Sequence, residues 1–473
     1  MRIAFILLLL GSTATAADRP NFVLIYIDDL GWADVGFNGS RFYLTPNIDR
    51  MAREGMQFTN AYANAPNCAP SRACLMSGLY SPRHGVYTVG SSKRGSVKAR
   101  RLVPTRNKTT LAPRFQTIAE SLRAAGYATA HMGKWHLGGG AQTGPKGQGF
   151  DTNVGGNRTG TPRGGYFPPY RNPQLKNGPE GEYLTDRLTS EAVEWITDHK
   201  DQPFFLYLAH YAVHTPIQAK RKLIAKYRNR KPYRGQRNPR YAAMIDSMDQ
   251  SVGRVLATLK KHKLDEKTMV IFYSDNGGFG GATSNRPLRG AKGMLYEGGI
   301  RVPMAVRWSG RVKPGTRCDV PVIGVDFFPT FAELSSSKTP KRLDGKSFVR
   351  LLKDPTNKDL SERSLFWHFP AYLQGKVKGA RDNFFRTRPA AAIRKGKWKL
   401  IEYFEDGHLE LYNLQTDLGE KENLAKSKPE IVKRLHAEMK QWRKDVKAPV
   451  PTERNERFDP SFKPRKKKRR RRK

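Results

Sequence analysis

Cysteine is scarce in this chain: three among 473 residues, at positions 68, 74 and 318. So few thiols exclude a disulfide framework as the source of the fold, and a chain of this length can bury enough apolar surface to do without one. Long apolar runs are lacking as well. Residues 3–10 are apolar but far short of the roughly 20 residues that span a bilayer, and no later segment comes closer, so no transmembrane anchor is expected. Acidic residues are the third shortage, with 42 Asp and Glu against 85 Lys and Arg and a formal net charge of +43. Such an imbalance draws polyanions rather than cations. No recognisable nucleic-acid module accompanies the charge, so a specific nucleic-acid partner is not expected.

Apolar residues make up 38% and aromatic residues 10% of the chain, enough for a folded body over most of its length. Met1 and Arg2, the apolar run 3–10 and the small residues that follow to Ala17 have the pattern of a secretory leader, which places residues 1–17 in a signal peptide and the protein in the periplasm or outside the cell. In an exported protein the polyanions at hand are sulfated or uronate-rich polysaccharides and acidic surfaces. Residues 465–473 are all Lys or Arg and are expected to form a solvated, disordered arm within a basic tail, 451–473. A second basic stretch covers 220–240. Cys74 and Cys318 are expected to be small buried apolar groups, the commonest state of a free cysteine.

Asn21–Ile27 is a continuous apolar run that stops at Asp28 and Asp29, as a strand buried on both faces of a parallel sheet would. Residues 268–273 break in the same way into Ser274, Asp275 and Asn276. Residues 203–208 run toward His210 and His214, and the weaker run 127–131 leads to Gly133, Lys134, Trp135 and His136. Helical periodicity separates these runs over 47–54, 115–125, 184–199 and 241–262, so the expected fold class is α/β, a mostly parallel sheet with helices on both faces. The Gly-, Pro- and Asn-rich stretch 138–181 reads as a long surface excursion of the kind that borders sites. After about residue 360 the texture changes to short strand-like pieces, 365–369, 391–402 and 408–413, followed by a helix over 429–446. This predicts a large catalytic domain over 18–357 and a small α+β subdomain over 358–450, an antiparallel sheet with one helix.

The chemistry centres on Cys68, Ala69, Pro70, Ser71 and Arg72, followed by Ala73, Cys74, Leu75, Met76, Ser77 and Gly78. Pro70 presets a turn and Ser71 can cap a following helix, which would stand Cys68 just before a helix N-terminus, a suitable seat for an anion. Asp28, Asp29, Asp275 and Asn276 bring four oxygen-bearing side chains to two strand ends, and such hard ligands select calcium, with magnesium second, over softer metals. The string from Cys68 resembles the signature of the formylglycine-dependent sulfatases, with Ser77 where that family usually has Thr. The resemblance implies that Cys68 is oxidised to an aldehyde (3-oxoalanine) by a formylglycine-generating maturation enzyme. One hydroxyl of the hydrated aldehyde then attacks sulfur and the other expels sulfate, two steps in place of one difficult hydrolysis.

The same resemblance maps Asp28, Asp29, Asp275 and Asn276, with the modified Cys68, onto the calcium site. It places Lys134 and His136 in a matching string over 131–138, His214 before Thr215 and Pro216, and Lys292 in 288–303 beside Arg289, Gly290, Glu297, Gly298, Gly299 and Arg301. Their implied roles are Arg72 on the diol, Lys134 and Lys292 on sulfate oxygens, His136 as the base for the diol and His214 on the leaving-group side together with Lys292. Asp326, Pro329 and Thr330, and the strings 367–370, 393–400 and 411–424, also match family elements. The implied fold is that of alkaline phosphatase. The expected substrate is a sulfated polysaccharide or its oligosaccharides, and His368 is a candidate sugar contact. Two other readings remain open: a phosphate or phosphonate ester hydrolase on the same fold, for which a hydroxyl nucleophile would be usual, and a non-catalytic polyanion-binding protein.

Overall fold

The computed structural model describes residues 19–375 and 377–463; the expected leader and the all-basic end of the expected tail lie outside the described residues. Strand β1, Asn21–Ile27, is buried along its whole length. Its alternate residues Phe22, Leu24 and Tyr26 join one core and Val23, Ile25 and Ile27 another, so each face of the strand feeds a separate apolar layer, as the two-residue period requires. Around it lie β2 (Met56–Phe58), β3 (Ala128–Gly133), β4 (Thr152–Val154), β5 (Phe204–Ala209), β6 (Thr268–Ser274), β7 (Met304–Arg307) and β8 (Thr316–Cys318). The sheet order is β4-β3-β5-β1-β6-β7-β2-β8. Strands β4 to β6 run parallel, whereas β7 is antiparallel to both β6 and β2. The fold is therefore α/β with a mixed sheet, mostly parallel at its centre.

Helices cover both faces. One face carries α2 (Cys68–Ser77), α3 (Ile118–Ala124) and α6 (Phe327–Ser335); the other carries α1 (Pro46–Arg53), α4 (Leu184–Asp198) and α5 (Pro239–Lys261). Because β1, β3, β5 and β6 are parallel, their carboxyl ends share one edge, where Asp28, Lys134, His210 and Asp275 follow within a residue.

A second sheet is antiparallel, in the order β9 (Ser364–Phe369), β10 (Ala390–Lys395), β11 (Trp398–Tyr403) and β12 (Leu409–Asn413), and α7 (Pro429–Asp445) packs on it. The expected single piece over 391–402 is two strands, divided by a turn at Gly396, whose φ of +52° lies in the left-handed region. A short hairpin, Leu373–Gln374 with Phe385–Thr387, leaves this sheet toward the large one. The two sheets meet through buried polar contacts: Lys399 bonds Glu297 at 3.0 Å and Glu420 at 2.8 Å, and the Trp367 indole donates to the Ala63 carbonyl at 2.8 Å. The stretch 138–181 is not wholly irregular, since it contributes β4 to the sheet edge.

Candidate active site

The string that begins at Cys68 folds as α2 itself. Cys68 is the first helical residue and Asn67 the N-cap, so the helix starts earlier than a cap at Ser71 would set it. Pro70 fits in the first turn, where a backbone N–H has no helical partner to lose. Ser71 lies inside the helix, its hydroxyl 3.5 Å from that of Tyr26, and Asn67 directs its amide to Thr88 at 2.9 Å. All ten residues of α2 are buried. Arg72 projects back under the sheet edge, where its guanidinium grips Asp275 at 2.8 and 3.0 Å, donates to the Lys134 carbonyl at 2.9 Å and lies over the Tyr26 ring.

Three buried carboxylates face three cations, two of them buried and the third, Lys292, half-buried at the pocket. Lys134 bonds Asp28 at 2.6 Å with both side chains fully buried, Arg72 holds Asp275, and Lys292 lies 2.6 Å from Asp29. The Lys292 ammonium also donates to the Cys68 sulfur at 3.2 Å, which joins the acidic cluster to the nucleophile candidate. Asp29 stands at φ +64°, a left-handed conformation that a non-glycine residue adopts at a cost and that is found most often at functional positions. It is held by its own N–H to Asp275 at 3.2 Å and by the Asn276 amide at 2.9 Å. His214 Nε2 lies 3.8 Å from Asp29, while its Nδ1 bonds the Thr215 carbonyl at 2.8 Å.

Charge and burial set the protonation tendencies. Burial pushes Asp28 up, and Lys134 pulls the other way and favours its charged form. Burial also raises Asp29, but Lys292 and His214 outweigh it and hold that carboxyl below its ordinary range. The Cys68 thiol is pushed up to about 12 by burial, which its two lysine neighbours only partly offset. His136 is held well below its usual value by burial and by Lys134 and Arg72, and burial with Lys292 lowers His214 to about 4. Both shifts favour the neutral imidazole.

His136 also has a left-handed backbone, φ +64°, and its buried Nδ1 has no hydrogen-bond partner among the described residues. The excursion crosses directly over this ring at Gly160, where a Cβ would come within 2.3 Å of Cε1, so only glycine permits the approach. A pocket of about 330 Å³ opens here, lined by Cys68, Asp29, His136, His214 and Lys292. Arg72, Lys134, Asp28, Asp275 and Asn276 lie behind its wall, buried.

His368 does not reach the pocket. It is buried in the small sheet, bonded through Nε2 to the Pro449 carbonyl at 2.9 Å and packed against Tyr87, Phe404 and Trp442, so the expected sugar contact is corrected to a core histidine. Cys74 and Cys318 are buried and unpaired. Arg94, Phe279, Leu373 and Arg386 line the pocket without having been singled out in the sequence, because they come from loops and a hairpin that carry no motif.

The donor set suits a hard cation. Ligand atoms of Asp28, Asp29, Cys68 and His214 lie within 4.8 Å of one another, and the Asp28 Oδ1 and Asn276 Oδ1 atoms are buried with no hydrogen-bond partner. A buried oxygen without a donor is costly, and an oxygen-seeking ion bound among these groups would satisfy both.

Comparison with known proteins matches residues 20–337 to the family model described as Sulfatase and residues 291–445 to that described as N-sulphoglucosamine sulphohydrolase, C-terminal. A protein named Sulfatase from Formosa agariphila is 35% identical, over 92% of this chain and 91% of its own length. The N-acetylgalactosamine-6-sulfatase of Mus musculus is 33% identical, over 78% of this chain and 72% of its own. Among solved structures, Ps i-CgsB in complex with k-i-k-neocarrahexaose superposes with a TM-score of 0.75 at 32% identity, covering 92% of this chain and 94% of that one.

Proposed function

The chain belongs to the sulfatase family, and from that membership we propose that it is an exported enzyme that removes sulfate from a sulfated carbohydrate, using a formylglycine made from Cys68 with calcium held beside it. The observation that carries this reading is the seat of Cys68. It opens a buried helix at the floor of the pocket, with the Lys292 ammonium 3.2 Å from its sulfur and the carboxylates of Asp28 and Asp29 alongside. An anion bound there meets backbone N–H groups and positive charge in a site shielded from water, where both act strongly.

The aldehyde derived from Cys68 would supply, once hydrated, an oxygen nucleophile that the buried thiol lacks. Asp28, Asp29, Asp275 and Asn276 are the residues to hold calcium, which would polarise a sulfate oxygen. Arg72 and Lys134, expected on the diol and on sulfate oxygens, are fully buried on Asp275 and Asp28 and do not line the pocket, so their part is to fix these carboxylates from behind. Lys292 adds its charge at the reacting centre, and His136 and His214, which line the same pocket, are the groups for proton transfer to and from the diol and the leaving oxygen.

The carbohydrate reading is supported by relatives whose names specify N-acetylgalactosamine-6-sulfatase and by the superposable Ps i-CgsB complex with k-i-k-neocarrahexaose. Export is supported by the leader pattern of residues 1–17. Likeness to a phosphonate monoester hydrolase, at 19% identity and a TM-score of 0.68, speaks to fold alone. The test is mass spectrometry of the Cys68 peptide from protein made in its native host, together with release of inorganic sulfate from sulfated saccharides. A mass about 18 Da below the cysteine form and chelator-sensitive sulfate release are expected. A matured protein that frees phosphate or phosphonate instead, or nothing at all, would overturn the reading.

A further inference from the structure

We propose that Arg94 and Arg386 form an anion clamp at the wall of the pocket, which holds a second sulfate or carboxylate on the sugar whose first sulfate lies at Cys68. The proposal rests on the reading of the pocket as a carbohydrate sulfatase site and deepens it: the preferred substrate carries two anionic groups close together.

Both arginines line the same pocket as Cys68, and neither forms an ion pair among the described residues. Their neighbours show that this is a departure. On the segment that carries Arg386, Arg381 pairs with Asp406 at 2.6 Å and Arg388 pairs with Asp382 at 2.5 Å and also with Glu405. Arg386 instead makes one long bond, 3.3 Å, from Nη1 to the Lys292 carbonyl, and its Nε is buried with no partner among the described residues. A buried donor without an acceptor is unfavourable unless a ligand completes it. Surface arginines left to water would not show this. Burial and the nearby Arg94 both weaken the hold of Arg386 on its proton, against the pull of Asp29.

The charge count at the centre makes the pair surplus. Arg72, Lys134 and Lys292 already pair with Asp275, Asp28 and Asp29, so none of these carboxylates forms an ion pair with either arginine. Their placement is also built. The loop that carries Arg94 is tied to the hairpin by the Tyr372 N–H to the Ser92 carbonyl at 3.0 Å, and Arg100 pins its backbone through the Lys93 and Gly95 carbonyls at 2.6 and 2.9 Å. Gly293, at φ +87°, leaves room for the stem of Arg386: a Cβ there would lie 2.6 Å from Cδ. The planar fork of arginine suits the paired oxygens of sulfate and carboxylate. Arg386 reaches the Lys292 segment, and Lys292 touches Cys68, so the second anion belongs on the same sugar as the first.

The test uses the full chain with Cys68→Ala, which binds without turnover, and two probes, N-acetylgalactosamine 6-sulfate and N-acetylgalactosamine 4,6-disulfate, in titration calorimetry. The disulfate is expected to bind roughly tenfold to a hundredfold more tightly, the range for charge-assisted hydrogen bonds. Adding Arg94→Met with Arg386→Met should collapse that ratio toward one, and Arg386→Lys, which keeps the charge but loses the fork, should leave it between. Melting curves verify that each variant is folded. No preference in the parent, or a preference that survives in the folded double variant, overturns the clamp. Because binding is read without catalysis, failure of the clamp is separate from failure of sulfate release, which would strike the sulfatase reading alone.

Discussion

Asp28 shows how the centre balances its charges. One of its oxygens receives the Lys134 ammonium at 2.6 Å, and the other is buried without a donor. Lys134 sets the orientation, which leaves the second oxygen available to a cation. Calcium bound there stabilises the native state by mass action, by about 2.7 kcal/mol when its concentration is a hundred times its dissociation constant. Asp28→Asn keeps the shape and removes the charge. Scanning calorimetry with calcium against chelator should therefore show a clear rise in melting temperature for the parent and little or none for the variant, with magnesium giving a smaller rise in the parent. An equal calcium-induced rise in both proteins would remove Asp28 from the metal site.

At the junction of the two sheets one ammonium group serves two carboxylates. Lys399, on β11, is fully buried between Glu297 of the large domain and Glu420 of the small one. Lys399→Met leaves two buried carboxylates close together with one less counter-charge, and the loss of one partner from a buried ion pair typically costs about 3–5 kcal/mol. Urea denaturation should show a loss of that order, and adding Glu420→Gln should recover part of it. A variant as stable as the parent would mean that Arg301 and Arg394, which also attend Glu297 through direct or shared contacts, carry the junction.

Elements of this kind differ in how much the sequence reveals. β1 and β6 were legible because a strand buried on both faces must be apolar throughout and must stop where its carboxylates begin, and α4 and α5 because each is long enough for its period to show. β2, β4, β7 and β8 have three or four residues each, too few for a period, and the antiparallel turn at β7 leaves no compositional mark. The Cys68 string, the paired aspartates and the lysine and histidine strings were recognisable because they are contiguous. Arg94 and Arg386 were not, since 291 positions of chain lie between two ordinary arginines and only the hairpin brings them to one wall. His368 misled for a related reason: its aromatic neighbours in sequence suit a sugar platform and a core equally, and burial decides.

At the scale of the molecule, acid acts on groups the fold keeps uncharged. Burial pulls the pKa of His84 and of His210 down to about 3 and that of His368 to about 4, against about 6.5 in an unfolded chain. Below pH 6.5 the unfolded chain takes up protons that these native histidines refuse, so their contribution to stability is complete above that pH and is lost as pH falls toward 4 and then 3. Asp34 and Asp249 work in the opposite direction. Burial raises each to about 6, so they bind protons more readily when folded and offset part of the loss. The formal charge of +43 adds repulsion that grows as carboxylates are neutralised. One substitution isolates the histidine contribution from the others. His210 bonds Ser251 at 2.9 Å through Nε2, and Gln can keep a hydrogen bond there while removing the titration. Relative to the parent, His210→Gln should gain stability as pH falls from 6 to 4, by about 1.4 kcal/mol per pH unit for one proton. Urea midpoints measured across that range decide the matter: a parent-to-variant gap that widens with acid supports a buried neutral His210, and a constant gap means that the histidine is already protonated in the fold.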